Sequence, residues 1–326
     1  MQVRVGIVGA GHMGQTHAAI LKEDARVEIV GVADFVATKA EALAVDIGTR
    51  PFHDVDQLLN AGIDAIYVAT PNTRHVEVVL RALEQGIHVF SEKPMATSLD
   101  GARQIRDTAR ASTAVYQVGH NRRFAPVYTA LKRTIESGFA PYLTNAKQND
   151  GDWFNPSWIT DLSLTGGFLY ESSVHVLDVL CWLLGEPVSV QARAKANVYD
   201  VLNDFAILIT FEGDRFAVFS SSAHASWGYP FEQVEIVGDH AFVRSEELDR
   251  VVHSPGLERE INIVDYRHLP QAVKWGYQAE DALFIGACLG KNPPAVDVEA
   301  AYKSIELCEG CYLSAANGAA QITLPL

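Results

Sequence analysis

No run of more than two adjacent lysines or arginines appears anywhere in these 326 residues, and acidic side chains outnumber basic ones 40 to 26, for a formal charge of −14. That balance repels polyanions and argues against nucleic acid or an anionic membrane as a partner. Cysteine is scarce. Four in a chain of this length do not make a disulfide framework. Two of them, Cys308 and Cys311, form a C-x-x-C within an apparent helix and lack a second pair of ligands, so helix packing is expected there rather than zinc. No uninterrupted apolar run reaches the ~20 residues of a bilayer-spanning helix. The opening MQVRVGIVGAG carries no basic segment followed by a small-residue cleavage site, which leads us to expect a cytoplasmic protein. Internal repeats and low-complexity segments are also missing. What is there is the composition of an ordinary globular protein, 48% hydrophobic and 20% charged, at a length that fits two domains.

The first half alternates. VRVGIV (3–8) reads as a buried strand and runs straight into Gly9-Ala10-Gly11-His12-Met13-Gly14, followed by a helix. A G-x-G-x-x-G between strand and helix is the fingerprint of dinucleotide binding. Its glycines allow a tight turn, close approach to a pyrophosphate, and packing of helix on sheet. His12 and Met13 fill the variable positions of that loop. The helix N-terminus offers unpaired N–H groups to the phosphates. A second strand, VEIVGVAD, ends in Asp34, placed to accept from a ribose 2′-hydroxyl and to repel a 2′-phosphate. NAD is therefore expected over NADP, with Lys39 the nearest cation that would favour the latter. Asp54-Val55-Asp56-Gln57 reads as a capping box. Strands at 64–70, 87–92 and 113–119 and helices at 75–86 and 99–112 complete a doubly wound parallel sheet. Ligands of such sheets bind beyond the carboxyl ends of the strands, where Thr70, Pro71, Asn72, Glu92 and Lys93 fall.

Lys93 leaves a buried strand at that edge, where a surface lysine has no structural task. Further on, GGFLYESSVHVLDVLCWLLG (166–185) reads as a helix with Glu171, His175 and Asp178 along one face and Val174, Leu177, Leu180, Cys181 and Leu184 along the adjoining one. A carboxylate one turn before an imidazole is a way to orient a base and tune its proton affinity. Asp178 is expected to pair with an arginine, cap, or support His175. A metal held by Glu171, His175 and Asp178 is disfavoured, because a neighbouring lysine ammonium would oppose a cation. From about 122 onward the pattern turns to a helix (126–138) and then strands at 141–149, 188–199, 204–212, 215–226 and 231–238, with Glu212-Gly213-Asp214 as a hairpin turn. We read this as an α+β domain with an open, largely antiparallel sheet, giving domains at 1–121 and 122–326.

Together these motifs make the chain resemble the glucose–fructose oxidoreductase/inositol dehydrogenase/MocA family over nearly its whole length. The resemblance rests on GAGHMG (9–14), ATPN with His75 (69–75), EKP (92–94), GHNRRFAP (119–126) and GG-x4-H-x2-D-x6-G (166–185). It implies binding of NAD or NADP and oxidation or reduction of a secondary alcohol of a sugar, cyclitol or related polyol. Carried over position by position, it puts Lys93, His175 and Glu171 around the reacting carbon and His75 in the cofactor site. The chain departs from the family at Glu171, where an aspartate is more common, and this opens the substrate and the standard geometry to question. The family also implies a homodimer or homotetramer assembled through the C-terminal sheet. Asn121 and Arg122, at the domain junction, are candidates for hydrogen bonds to substrate or cofactor, the alternative being a salt bridge between domains. Trp153 and Trp158 are candidates to wall the substrate pocket or to pack a core or interface.

The reaction these residues fit is reversible hydride transfer between a carbinol carbon and a nicotinamide. An imidazole titrates near pH 6.5 in water, which suits His175 as base. Glu171 would orient it, and Lys93 would stabilise developing alkoxide charge. The reverse assignment, with Lys93 as base, requires burial to depress its pKa. Three other readings fit the scaffold: a non-catalytic NAD-binding regulator, an NAD-dependent glycosidase, and an imine or diol reductase.

Overall fold

A computed structural model of the protein describes residues 2–152, 157–226, 228 and 230–326, with only the backbone of Ser157. The chain forms two compact units, Met1–His120 with Tyr277–Tyr302, and Asn121–Gly276 with Lys303–Leu326.

The first unit is built on six parallel strands: β1 (Val3–Val8), β2 (Val27–Ala33), β3 (Arg50–Phe52), β4 (Ala65–Val68), β5 (His88–Glu92) and β6 (Tyr116–Gly119). Their order is β3-β2-β1-β4-β5-β6, so the winding reverses between β1 and β4 and opens a crevice at their carboxyl ends. β4 is buried at every residue, as a sheet covered on both faces requires. Helices His12–Lys22, Ala37–Ile47, His75–Glu84 and Leu99–Ala111 follow the strands. Asp54 caps the short helix Val55–Leu59, accepting from the Asp56 amide. β3 was not delimited from the sequence. It is three residues long and holds Pro51, which only a sheet edge tolerates. Phe90 stacks on Tyr67 at 4.7 Å, and Phe284 meets both rings edge-on at the centre of this core.

Phe284 marks a correction to the expected domain boundaries. Residues 277–302 fold with the first unit rather than with the rest of 122–326. The helix Tyr277–Cys288 packs beside His12–Lys22, tied by a buried bond between Asp281 and His17. Periodicity shows that a helix has an apolar face, and it does not show which sheet receives it.

The second unit carries a nine-stranded sheet: β7 (Leu143–Asn149), β8 (Pro187–Lys195), β9 (Asp204–Phe211), β10 (Arg215–Ser222), β11 (Glu232–Val237), β12 (Phe242–Glu246), β13 (Arg250–Ser254), β14 (Asn262–Asp265) and β15 (Ile322–Thr323). The order is β14-β13-β12-β11-β7-β10-β9-β8-β15, antiparallel except where β7 runs parallel to β10. Arg215 pairs with Phe211, so Glu212, Gly213 and Asp214 form a three-residue hairpin loop between β9 and β10, with Gly213 and Asp214 in left-handed backbone (φ 74° and 64°). Helices Pro126–Glu136 and Val174–Leu184 belong to this unit.

The stretch Leu162–Leu184 corrects the reading of apolar runs. By length and composition alone it is able to cross a membrane, yet 83% of its most apolar window is buried, so its hydropathy is that of a core helix. Glu171, His175 and Asp178 interrupt the run and hid it from view.

Candidate active site

The turn after β1 has the shape of a phosphate cradle. Gly9 sits at φ 100°, and a Cβ there would collide with the Ala69 carbonyl at the end of β4, so glycine is required on both counts. A Cβ on Gly14 would run into the Gly9 carbonyl, which fixes how closely the helix packs on the turn. Gly11 differs: a Cβ there would meet nothing within 4 Å. The protein leaves open the space that this glycine keeps clear, directly at the N-terminus of the helix His12–Lys22. That is where backbone N–H groups and the helix dipole favour an anion. Asp34 is locked beside it. Its Oδ2 accepts from the Ala10 amide at 2.7 Å and its Oδ1 from the Val36 amide at 2.8 Å. Each carboxylate oxygen accepts about two hydrogen bonds, so capacity remains for a ribose hydroxyl. The residues present thus fit a dinucleotide. Phe35, missed from the sequence, stands fully exposed next to Asp34 (104%), and adjacency to that acid was the available signal.

Thr70, Pro71 and Asn72 lie just beyond β4, with Asn72 buried in the turn Asn72–Arg74. His75, expected in the cofactor site, is fully buried, with its ring nitrogens 2.8 Å from the Pro94 carbonyl and 2.9 Å from the Thr70 carbonyl. Burial holds its pKa below the ordinary imidazole value despite those two acceptors. His75 lies between the loop after β4 and the loop after β5, with a carbonyl of each beside its ring nitrogens, and as a neutral ring it donates to one of the two.

Glu92 ends β5. Its Oε2 accepts from the Lys93 backbone N–H at 3.1 Å, and its Oε1 accepts from His17 Nε2 at 2.9 Å. His17 Nδ1 in turn lies 2.9 and 3.0 Å from the two oxygens of Asp281. Burial alone would lower the His17 pKa, but Asp281 and Glu92 outweigh it and hold the value well above that of free imidazole. Glu92 is likewise held below the ordinary carboxylate range, His17 overcoming the effect of burial. Burial pushes Asp281 the other way, up, against the pull of the same His17. Geometry decides between the partners: with a carboxylate on each nitrogen, His17 satisfies both only as the cation. His17 and Asp281 were missed from the sequence, being 264 positions apart.

In the second unit, the glycine pair is followed by a turn of π-helix, Leu169–Ser173, before the α-helix Val174–Leu184 begins. Such wide turns recur at functional sites. A polar network supports this one. Gln148 Nε2 donates to the Ser172 carbonyl (3.0 Å) and to its Oγ (3.1 Å), Ser172 Oγ donates to Asp150 Oδ2 (2.7 Å), and Ser173 Oγ lies 2.8 Å from Ser221 Oγ. Glu171 and His175 are half-buried, whereas Asp178 is completely buried. The expected single polar face therefore splits. Three residues of α-helix rotate a side chain by about 300°, which turns Asp178 roughly 60° away from His175 and into the core. There it binds Arg123 Nε and one terminal nitrogen at 2.8 and 2.7 Å and accepts from Ser304 Oγ at 2.8 Å. Pairing with an arginine is the outcome.

Asn121 and Arg122 also read differently in place. Asn121 is buried and its Nδ2 donates to the Trp275 carbonyl at 2.9 Å. Arg122 is buried against Glu232, its Nε 3.1 Å from both carboxylate oxygens, and its guanidinium lies 4.5 Å from the Trp275 ring centroid. Tyr128 Oη donates to the same carboxylate at 3.0 Å. These contacts lie within the second unit and hold its helices on the sheet. Trp158 is largely exposed in the turn Ser157–Thr160, and Trp153 lies outside the described residues. Cys308 and Cys311 are fully buried among apolar neighbours in the helix Val298–Ala316. Burial pushes both thiols well up, which suits packing.

Residues 3–120 match the model of an oxidoreductase family with an NAD-binding Rossmann fold, and residues 128–244 match the C-terminal domain of the same Gfo/Idh/MocA family. The chain is 30% identical over 250 residues to the uncharacterized oxidoreductase YrbE of Bacillus subtilis strain 168, covering 73% of this chain and 72% of that one. It is 29% identical over 254 residues to the inositol 2-dehydrogenase of Rhizobium meliloti strain 1021, covering 76% of each. A levoglucosan dehydrogenase solved with NADH and levoglucosan superposes with a TM-score of 0.91 over the whole of both chains, at 19% identity, a likeness of fold. On these grounds the chain belongs to the Gfo/Idh/MocA family of oxidoreductases, whose N-terminal domain is an NAD-binding Rossmann fold.

Proposed function

We propose that this protein is an NAD-dependent dehydrogenase of a secondary alcohol on a cyclitol, sugar or related polyol, running in reverse on the corresponding ketone. The observation that carries this reading is Lys93 at the carboxyl end of β5, in a sheet whose first turn is a phosphate cradle with Asp34 fixed beside it. Inositol 2-dehydrogenases among the relatives support the substrate class. NAD, when bound, supplies the hydride acceptor. His175 takes the hydroxyl proton as the C–H bond breaks, and Glu171 orients the imidazole and stabilises its cationic form. Lys93 donates to the same substrate oxygen and stabilises its developing negative charge. Phe35, exposed beside Asp34, would be free to pack on the base of a bound dinucleotide. The experiment is a screen of inositols, polyols and aldoses with NAD and with NADP, followed by absorbance of the reduced cofactor. Oxidation of at least one cyclitol or sugar, faster with NAD, is the expected result. Tight NAD binding with no oxidation of any compound would favour a regulator, and hydrolysis without net reduction a glycosidase.

Cofactor choice gives a second test. Asp34→Asn removes one charged acceptor, an interaction worth about 1.5–3 kcal/mol, so KM for NAD should rise roughly tenfold to a hundredfold. Use of NADP should improve as the repulsion disappears. An unchanged NAD/NADP ratio of kcat/KM would place ribose recognition elsewhere.

We extend the proposal to assembly through the sheet of the second unit. Leu208, Phe216 and Val218 are 39%, 41% and 44% exposed on one face, with Val218 directly opposite Leu208. Contiguous apolar surface of this kind is a mark of association. A homodimer or homotetramer is expected by light scattering after gel filtration, and Val218→Glu should shift it toward monomer; a monomeric wild type sinks the idea. The nicotinamide pool and four free cysteines fit a cytoplasmic location.

A further inference from the structure

A chain of buried charge runs behind the loop that bears Lys93. It starts on the helix Tyr277–Cys288 with Asp281, passes through His17 on the first helix, and ends on Glu92 at the tip of β5. The last link is the one that matters: the Glu92 oxygen not bound to His17 holds the backbone N–H of Lys93 at 3.1 Å. His75 binds the carbonyl of Pro94, one residue further on, at 2.8 Å. The main chain of Lys93 is thus held on both flanks by buried side chains. His17 itself has no freedom to turn, because Tyr67, Phe90 and Tyr277 pack around its ring at 5.3, 5.0 and 6.2 Å between centroids.

A buried ion cluster is a costly way to stabilise a fold, and apolar residues of similar volume often do as well. Its better use is to fix one arrangement. A carboxylate with one oxygen pinned by an imidazolium cannot rotate away from the amide that its other oxygen accepts. We propose that His17 and Asp281 are positioning residues for Lys93, acting through Glu92 to fix the backbone from which the lysine side chain reaches the substrate oxygen. The inference rests on the reading of Lys93 given above. It also assigns a task to the return of residues 277–302 into the first unit: the far end of the chain delivers the carboxylate that sets the proton and orientation of His17.

The test compares Asp281→Asn, His17→Gln and His17→Leu with the wild type, each alone and each combined with Lys93→Ala. The readouts are turnover of the best-oxidised compound of the polyol screen with NAD, and NADH affinity by fluorescence titration. A displacement of about 1 Å at a reacting group can cost up to about a hundredfold in rate. Asp281→Asn and His17→Leu should therefore lower kcat roughly tenfold to a hundredfold. KM and NADH affinity should stay near those of the wild type. His17→Gln keeps an N–H for Glu92 and should recover much of the loss seen in His17→Leu. In the Lys93→Ala background the same changes should leave the residual rate unaltered, since no lysine is left to position. An equal fractional loss with and without Lys93 would show a general structural effect and overturn the proposal. So would wild-type kcat in both Asp281→Asn and His17→Leu. If Asp281→Asn fails to fold, the contrast between His17→Gln and His17→Leu decides. Full activity of Lys93→Ala alone would instead overturn the underlying reading of Lys93.

Discussion

Lys93→Ala is expected to lower kcat by about 10²- to 10³-fold, the range found when one donor to a developing oxyanion is removed. NADH affinity should change little, because in the proposed reading the Gly9–Gly14 turn would hold the phosphates and Asp34 the ribose, and neither uses the lysine side chain. His175→Ala removes a proton acceptor instead, worth about 10²- to 10⁴-fold. The two losses should respond differently to pH. Solvent hydroxide replaces a missing base more effectively as pH rises, so His175→Ala should regain rate in alkali. Lys93→Ala should not, because hydroxide supplies no positive charge to the substrate oxygen. Residues acting on one transition state are strongly non-additive, so the double variant should be only slightly slower than the worse single variant. Steady-state kinetics across pH, with NADH titrations on each variant, would check all of this. Full activity in both single variants would remove Lys93 and His175 from the chemistry. An alkaline recovery seen in Lys93→Ala but not in His175→Ala would exchange their roles, with the lysine as base.

How much of this was legible in the sequence follows from the range of each interaction. The Gly9–Gly14 turn and Asp34 could be read because strand, turn and helix are consecutive and each glycine answers a local steric need. The parallel sheet could be read because strands covered on both faces are apolar at nearly every position, as in β4. β3 escaped notice as a three-residue edge strand, and β14 because its residues Asn262, Ile263 and Val264 are exposed and give no buried alternation. The helix after the glycine pair was found, but not its π-turn, since one extra residue in a turn leaves the residue types unchanged. Asp178 looked part of the same face because three residues of α-helix leave only about 60° between it and His175. The largest omissions were the longest in range. Asp281 meets His17 across 264 positions, and Glu232 meets Arg122 across 110, distances at which no local pattern carries information. Arg122 was visible as a charged residue near a junction, but its burial under Trp275 was not.

Asp178→Ala should destabilise the protein by about 3–5 kcal/mol, the cost of breaking a buried ion pair by removing one partner. The carboxylate is completely buried, and it is bidentate to Arg123 while also accepting from Ser304. Its loss strips the charge that both Arg123 nitrogens bind. A surface pair gives the contrast: Arg110 and Glu299, each about half exposed, make an equally short contact, yet Arg110→Ala should change stability little because water screens the charges. Asp178→Asn keeps an acceptor of the same size and should fall between the two. Replacing both partners, Asp178→Leu with Arg123→Met, should be less harmful than Asp178→Ala, since no buried charge is left behind. Urea unfolding of the four variants measures the series. The same proteins separate architecture from chemistry. If Asp178 serves only to hold the helix that presents Glu171 and His175, the folded fraction of Asp178→Asn should turn over at close to the wild-type rate. A variant as stable as wild type but slow would place Asp178 in the proton-transfer machinery and restore the three-residue face that the sequence pattern implied.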